Sequence, residues 1–218
     1  MKHVFLFLFL SFSIIHLYHS FLEREDLRRY SKPFLMLTLL GFYFFSAEKH
    51  DIFIILALLF SWAGDVVLII RNTKAFFIGG IFFLIAHLFY ITAYLRIVSF
   101  EQLPLFLLVV AVVYCTISVS LVHSLKKWIP RKIYYPMHIY LLCNALMNVC
   151  ALLRCYQHPH SGCTLSFIGA FLFFCSDCIL FLVDYHENKN LIFRKHFSVM
   201  ITYLCGQFLI VLGLILTK

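Results

Sequence analysis

Long apolar runs alternate along this chain with short polar breaks. Eight runs fall at about 3–21, 33–47, 52–70, 75–95, 104–124, 133–153, 164–184 and 197–216. Most are close to the roughly 20 residues that a helix needs to cross a bilayer. Because the breaks are short, consecutive helices should lie side by side and antiparallel. The pattern predicts an all-α fold, a single transmembrane domain over residues 1–218 with eight spans.

Composition supports a membrane protein and excludes a soluble domain. Hydrophobic residues make up 63% of the chain, charged residues 13%, and the mean hydropathy is +0.94. The net charge of +8 comes from basic residues in short loops, where they face lipid headgroups. We therefore expect membrane lipid around the protein and no nucleic-acid partner. Most of the eight cysteines lie in apolar runs, as packing residues do.

The basic residues also predict an orientation. Of the 18 Lys and Arg residues, 13 follow the first, third, fifth and seventh runs, and five lie on the other side: Lys2, Lys49, Arg96, Arg154 and Lys218. Cytoplasmic loops carry the excess of Lys and Arg. The first run has no small-residue cleavage site, so we read it as a retained helix. We thus expect an integral membrane protein with both termini on the lumenal or outer side.

Polar residues interrupt the apolar runs at similar depths. At 1.5 Å per residue, Asp65 lies roughly 8 Å and Asp177 roughly 10 Å from the cytoplasmic end of its span. Other polar residues fall between that end and the midplane: His87, Tyr90, Asn144, Tyr203 and Gln207. Several share a helix face at a spacing of four, such as Tyr140 with Asn144. These stripes predict a water-accessible cavity open to the cytoplasm.

The two aspartates are the strongest functional candidates. Tyr, Asn and Gln in membrane helices often only join helices by hydrogen bonds, and a lone histidine is often a core residue. An intramembrane carboxylate is costly, which favours a functional role. Two carboxylates a few ångströms apart would share one proton and so provide an acid and a base. Such pairs act on bonds that break through an oxocarbenium ion, here in a membrane-resident substrate.

Five local motifs, in order along the chain, resemble one family. They are SWAGDVVLI at 61–69, FLIAHLFYI at 83–91, YLLCNALMNVCA at 140–151, GAFLFFCSD at 169–177 and VMITYLCGQFLI at 199–210. Together they are similar to the lysoplasmalogenase (YhhN-like) membrane proteins, as is SKPFLML at 31–37. One departure is Leu204, which follows Tyr203 where relatives often have a second tyrosine.

The resemblance implies a function and roles for residues. It implies an eight-helix hydrolase that splits the vinyl ether bond of lysoplasmalogens into a fatty aldehyde and glycerophosphoethanolamine or glycerophosphocholine. Asp65 and Asp177 would be the essential acid and base, in an order left open, without a metal or cofactor. Five residues would position water and the glycerol hydroxyl of the lysophospholipid substrate: His87, Tyr90, Asn144, Tyr203 and Gln207. Lys32, at the cytoplasmic end of the cavity, would meet the phosphate. The endoplasmic reticulum is the expected location, and a homodimer is left open.

Three other functions remain open at this point. A lipid or ion-coupled carrier would use Asp65 and Asp177 as proton or cation sites. An intramembrane aspartyl protease also uses two aspartates, but its Gly-x-Gly-Asp motif is replaced here by WAGD at 62–65. A metal-dependent lipid hydrolase would use His87 together with the aspartates. This would give one histidine ligand, whereas zinc sites usually have two or three.

Overall fold

The computed structural model describes residues 1–101 and 103–217. Lys218, counted above for the orientation, lies outside the described residues. Within them the chain forms eight α-helices and no strand, which confirms the all-α prediction: α1 (Lys2–Phe21), α2 (Glu25–Ser46), α3 (Ile52–Val67), α4 (Thr73–Leu95), α5 (Leu105–Ser124), α6 (Arg131–Gln157), α7 (Ser161–Tyr185) and α8 (His196–Leu216).

Six of these helices are long and apolar enough to cross a membrane: α1, α4, α5, α6, α7 and α8. Of the other two, α3 is apolar but has only 16 residues. The helix α2 has 22 residues, of which the first turns are charged. The structure thus supports six of the eight predicted spans, and spanning by α2 and α3 stays a prediction.

Two helices extend well beyond their apolar runs. We expected α2 to begin at about 33, yet it begins at Glu25 and carries Pro33 inside it. Acidic residues in a first turn interact favourably with the helix dipole, which hydropathy alone does not register. Similarly, α6 continues past 153 to Gln157, so Arg154 is a buried residue of its last turn and not the loop residue of our charge count.

Helix contacts form a closed ring. Around it α1 packs on α2, α2 on α3, α3 on α4, α4 on α6, α6 on α7, α7 on α8, and α8 returns to α1. The remaining helix, α5, packs on α6 and α7 from outside. Because α2 also contacts α8, the space inside the ring is bounded mainly by six helices: α2, α3, α4, α6, α7 and α8.

Side-chain bonds between loops identify the two ends of the bundle. At one end Arg71, after α3, pairs with Glu25 at the start of α2. At the other end Arg96, after α4, pairs with Asp51, before α3, at 2.9 Å between Nη1 and Oδ2. The loops 22–24, 68–72, 125–130 and 186–195 thus share one end, as the alternation of antiparallel helices requires. We call this end the mouth.

Four glycines allow α7 and α8 to pack closely. Gly162 and Gly169 of α7 face Gly213 and Gly206 of α8. A methyl group on Gly169 would lie 2.6 Å from the Gly206 carbonyl oxygen, and one on Gly213 would lie 2.3 Å from that of Gly162. Small residues at such contacts let helix backbones approach in a membrane, where van der Waals packing stabilises association. This pair holds Asp177 and Tyr203 on adjacent helices.

We predict that Gly169→Ala will destabilise the protein, because backbone atoms cannot move aside as a flexible side chain can. Overpacking of this kind costs about 1–3 kcal/mol. Gly80→Ala is the matched control, since nothing lies within 4 Å of its Cβ position and alanine is the better helix former. The measurement is the thermal unfolding midpoint in detergent. Equal midpoints for the two variants would contradict close packing of α7 on α8.

Candidate functional site

One cavity of about 650 Å³ opens at the mouth and reaches both intramembrane aspartates. Asp65, from α3, and Asp177, from α7, both line it and are themselves largely buried. Its wall includes residues of α2, α4, α6 and α8. The predicted cavity, bounded by polar stripes from several helices, is thus present in the ring.

Asp65 is paired with a cation. Lys32 of α2 places Nζ 3.4 Å from Oδ1 of Asp65, and Tyr203 of α8 donates a hydrogen bond to Oδ2 at 2.8 Å. The indole of Trp62 donates to the carbonyl of Pro33 at 3.0 Å, which ties α3 to α2 one residue from Lys32. Asp65 lies near the C-terminus of α3, where the helix dipole disfavours an anion. The ammonium group offsets this cost.

A second layer of polar groups lies behind Asp65. Tyr90 of α4 donates to Oε1 of Gln207 at 2.7 Å, and Nε2 of Gln207 donates to Oγ of Ser61 at 3.2 Å. All three residues are fully buried. Since Gln207 and Tyr203 are one turn apart on α8, this network supports the helix face that carries the Asp65 donor.

Asp177 is held by neutral donors. Tyr140 and Asn144 of α6 both donate to its Oδ2, at 2.7 and 2.6 Å. Asn148 donates to Oδ1 of Asn144 at 3.1 Å, and Tyr114 of α5 donates to Asn148 at 3.2 Å. This chain of bonds orients the Asn144 amide towards the carboxyl group.

His87 lies near Asp177 without a hydrogen bond. Its Nε2 is 4.0 Å from Oδ2 of Asp177, and neither ring nitrogen has a hydrogen-bond partner among the described residues. The ring is fully buried and packs against Tyr140 and Phe173. Burial of an imidazole without a partner favours its neutral form.

The two carboxyl groups share a cavity but no hydrogen bond in the described chain. We expected them to share a proton within a few ångströms. Instead each has its own donors, from α2 and α8 for Asp65 and from α6 for Asp177. The ring of Phe173 packs on both Tyr203 and His87, with centroids 5.3 and 4.9 Å apart. Among the described residues each acid thus has its own donors, and sharing of one proton by the two stays a prediction.

The predicted site residues divide into two layers. Four line the cavity: Lys32, Asp65, Asp177 and Tyr203. Four are fully buried outside that lining: His87, Tyr90, Asn144 and Gln207. The second group contacts the acids or their helices and does not line the cavity. Contact of these residues with water or substrate, which the family resemblance implied, stays a prediction. These residues are placed to position the two acids.

Sequence reasoning placed Tyr140 on a polar stripe but gave it no role in the site, and it missed most of the basic mouth. Tyr140 shares a stripe with Asn144, and that spacing was the signal for its place beside Asp177. At the mouth the cavity is lined by Arg28, Arg29, Arg71 and His196 besides Lys32. Arg28 and Arg29 lie on α2 turns that hydropathy had assigned to a loop. The mouth is therefore cationic, with Lys32 paired to Asp65 and Arg71 paired to Glu25.

No group of three or more His, Cys, Asp or Glu side chains that could hold a metal ion occurs in the described part of the chain. The eight cysteines are all free thiols. Within residues 1–101 and 103–217, His87, Asp65 and Asp177 thus do not come together as a three-ligand group.

Comparison with known proteins identifies the family. The sequence matches the YhhN family over residues 27–214. The chain belongs to the YhhN family. The match includes both aspartates and every helix that contributes a donor to them. No curated protein and no solved structure matches the chain. The family resemblance of the sequence motifs is thus confirmed for this YhhN protein, whereas the comparison gives no activity.

We predict that Lys32→Met will destabilise the protein by leaving the Asp65 carboxylate without its cation. Removing one partner of a buried ion pair costs up to about 3 kcal/mol where some solvent remains, as it does at Lys32. The double variant Lys32→Met with Asp65→Asn removes both charges and should recover most of that loss. The measurement is the unfolding midpoint in detergent.

The exposed Lys74, also near the mouth, provides the control, because Lys74→Met should leave the midpoint unchanged. If the single and double variants at Lys32 and Asp65 were equally destabilised, the ion pair would not be what stabilises Asp65.

Proposed function

We propose that this YhhN protein hydrolyses the vinyl ether bond of lysoplasmalogens. The observation that supports this proposal is a single cavity lined by two buried carboxyl groups beneath a basic mouth. One carboxyl group has a cation partner and, among the described residues, the other has none. The reaction needs one group that gives a proton to carbon and one that takes a proton from water. It needs no redox chemistry.

The surroundings of each aspartate support a division of roles. Asp65 has an ammonium group at 3.4 Å, which stabilises its anion in a low-dielectric site. Asp177 has only neutral donors, both on Oδ2, and an unpaired buried carboxylate is costly. We assign Asp177 as the protonated acid, with Oδ1 free to carry the proton, and Asp65 as the base.

The reaction balances with these two groups and one water. Asp177 protonates the vinyl carbon that is not bonded to the ether oxygen. The ether oxygen stabilises the resulting oxocarbenium ion. Asp65 takes a proton from water as its oxygen adds to the cation, which gives a hemiacetal. Asp177, now an anion, takes the hemiacetal proton, and Asp65 protonates the departing glycerol oxygen. The products are a fatty aldehyde and a glycerophospho-alcohol, and both acids return to their first state.

The mouth would hold the headgroup. Arg28, Arg29 and Arg71 line it, and guanidinium groups bind phosphate through paired hydrogen bonds. Glu25 pairs with Arg71 and lies 4.0 Å from Arg28, so it orients both groups at the rim. Since basic loops face the cytoplasm, we place the mouth there, with both termini lumenal and the protein in the endoplasmic reticulum membrane.

We predict that Asp65→Asn and Asp177→Asn will each lower aldehyde release from a lysoplasmenyl lipid by at least about a hundredfold. The purified protein in detergent is assayed by trapping the aldehyde, and a cooperative unfolding transition above the assay temperature shows that each variant is folded. Asp51→Asn, at the far end of the bundle, is the control and should retain activity. Wild-type protein that releases no aldehyde, but takes up lysolipid in proteoliposomes through both aspartates, would favour the carrier.

The division of roles predicts different rescue by azide. In Asp65→Asn the oxocarbenium ion still forms, so azide, which needs no base, should add to it and restore substrate consumption as an azido ether. In Asp177→Asn no cation forms, and azide should have no effect. Mass spectrometry of the lipid distinguishes the two. Rescue of Asp177→Asn alone would reverse the assignment.

A further inference from the structure

The cavity has an apolar opening in its side as well as the basic mouth. Phe77 and Ile81 of α4 and Ile139 of α6 line it and are 40%, 40% and 60% exposed. Ile81 lies on the exposed outer face of α4 with Ile78 and Leu88, at spacings of three and seven residues. Residues that belong to an outer face and also line the cavity mark a gap in the ring wall.

On the opposite side of the gap, the outer face of α6 also has an exposed residue that lines the cavity. Ile139 continues the exposed row formed by Tyr135 and Leu146, four residues before and seven after it, yet it lines the cavity. Among the described cavity-lining residues, the other exposed large apolar side chain is Ile70, in the loop at the mouth. The lateral opening therefore lies between α4 and α6.

The gap reaches the level of Asp177. Counted from the mouth ends of their helices, Ile81, Ile139 and Asp177 are each roughly 12 Å deep, and Ile139 is next to Tyr140, which donates to Asp177. Ile81 lies six residues nearer the mouth than His87, whose Nε2 is 4.0 Å from Oδ2 of Asp177, so the gap extends from that level towards the mouth. These depths fall within one leaflet of a bilayer whose hydrocarbon core is about 30 Å thick. The gap thus faces lipid chains and not the headgroup region.

Aromatic contacts bound the gap on both sides. Towards the mouth, Phe76 of α4 packs on Tyr185 of α7 with ring centroids 5.4 Å apart. Towards the bundle centre, His87 of α4 packs on Tyr140 of α6 at 5.3 Å. Tyr140 is the residue that donates to Asp177. One edge of the gap is therefore formed by Tyr140, the residue that donates a hydrogen bond to the proposed acid, Asp177.

We propose that this gap is a lateral portal for the single hydrocarbon chain of the substrate. This inference rests on the proposed function: the phosphate stays at the basic mouth, the vinyl ether reaches Asp177, and the chain passes between Ile81 and Ile139 into the bilayer. The occupant follows from polarity, since the portal is apolar while the mouth is cationic. One portal accommodates one chain, so the portal selects lipids with a single chain over lipids with two.

Narrowing the portal tests this through chain length. Ile81→Trp and Ile139→Trp should lower kcat/KM for a substrate with an 18-carbon alkenyl chain by about tenfold. A four-carbon analogue ends inside the cavity and should change by less than about twofold. Ile78→Trp is the matched control, being 45% exposed on the same helix without lining the cavity. Equal losses for both chain lengths, or no loss for either, would overturn the portal.

Photolabelling tests the portal without catalysis. The probe is a lysophosphocholine with a saturated ether chain, which cannot be cleaved as a vinyl ether, carrying a diazirine at mid-chain. The label should fall on peptides of α4 and α6 and should decrease in Ile81→Trp but not in Ile78→Trp. Labels on α1, α2 or α8 instead would overturn the portal. Because labelling needs no hydrolysis, the portal and the proposed function can fail separately.

Discussion

A carboxyl group placed among apolar helices needs donors, and this requirement organises the centre of the bundle. Asp65 is satisfied by Lys32 and Tyr203, which join α3 to α2 and α8. Asp177 is satisfied by Tyr140 and Asn144, which join α7 to α6. Removing one such partner leaves a buried polar group without its hydrogen bond, which costs about 1–3 kcal/mol. The two acids therefore fix which helices are neighbours around the cavity, in addition to whatever chemistry they perform.

The donors differ, and that difference gives the acids unlike character. A cation beside Asp65 stabilises its ionised form. Asp177 accepts hydrogen bonds from a phenol and an amide, and a buried imidazole lies 4.0 Å away. A proton-sharing dyad would reach the same end by repulsion between like charges. Here the different partners of the two carboxyl groups, a cation for Asp65 and neutral donors for Asp177, favour different protonation states instead. Both carboxyl groups also line the same cavity, so each is open to a molecule that enters it.

Helix positions were predictable because they follow from the length and periodicity of the apolar runs. The depth of Asp65 was not, because α3 ends at Val67 and not at Ile70, which leaves Asp65 two residues from the end of its helix. The apolar runs located seven helices to within about four residues. The start of α2 was missed because its first turns are charged. Lys32 was therefore assigned to a loop, whereas it lies on α2 and pairs with Asp65. The partner of each aspartate could not be predicted. Stripes on Tyr140 and Tyr203 show which face is polar, but only the order of helices around the ring decides which acid each face meets.

The arrangement of the two acids also accounts for how water and lipid could reach one site from different directions. Asp65, with its partner Lys32, lies beneath the basic mouth, from which water enters. Asp177 lies at the level of the gap between α4 and α6, which faces hydrocarbon. Protonation of the vinyl ether needs the acid next to the chain-bearing carbon, and trapping of the cation needs the base next to incoming water. Exchanging the positions of the two acids would place each group against the wrong reactant, so the polarity of the cavity and the proposed order of steps support each other.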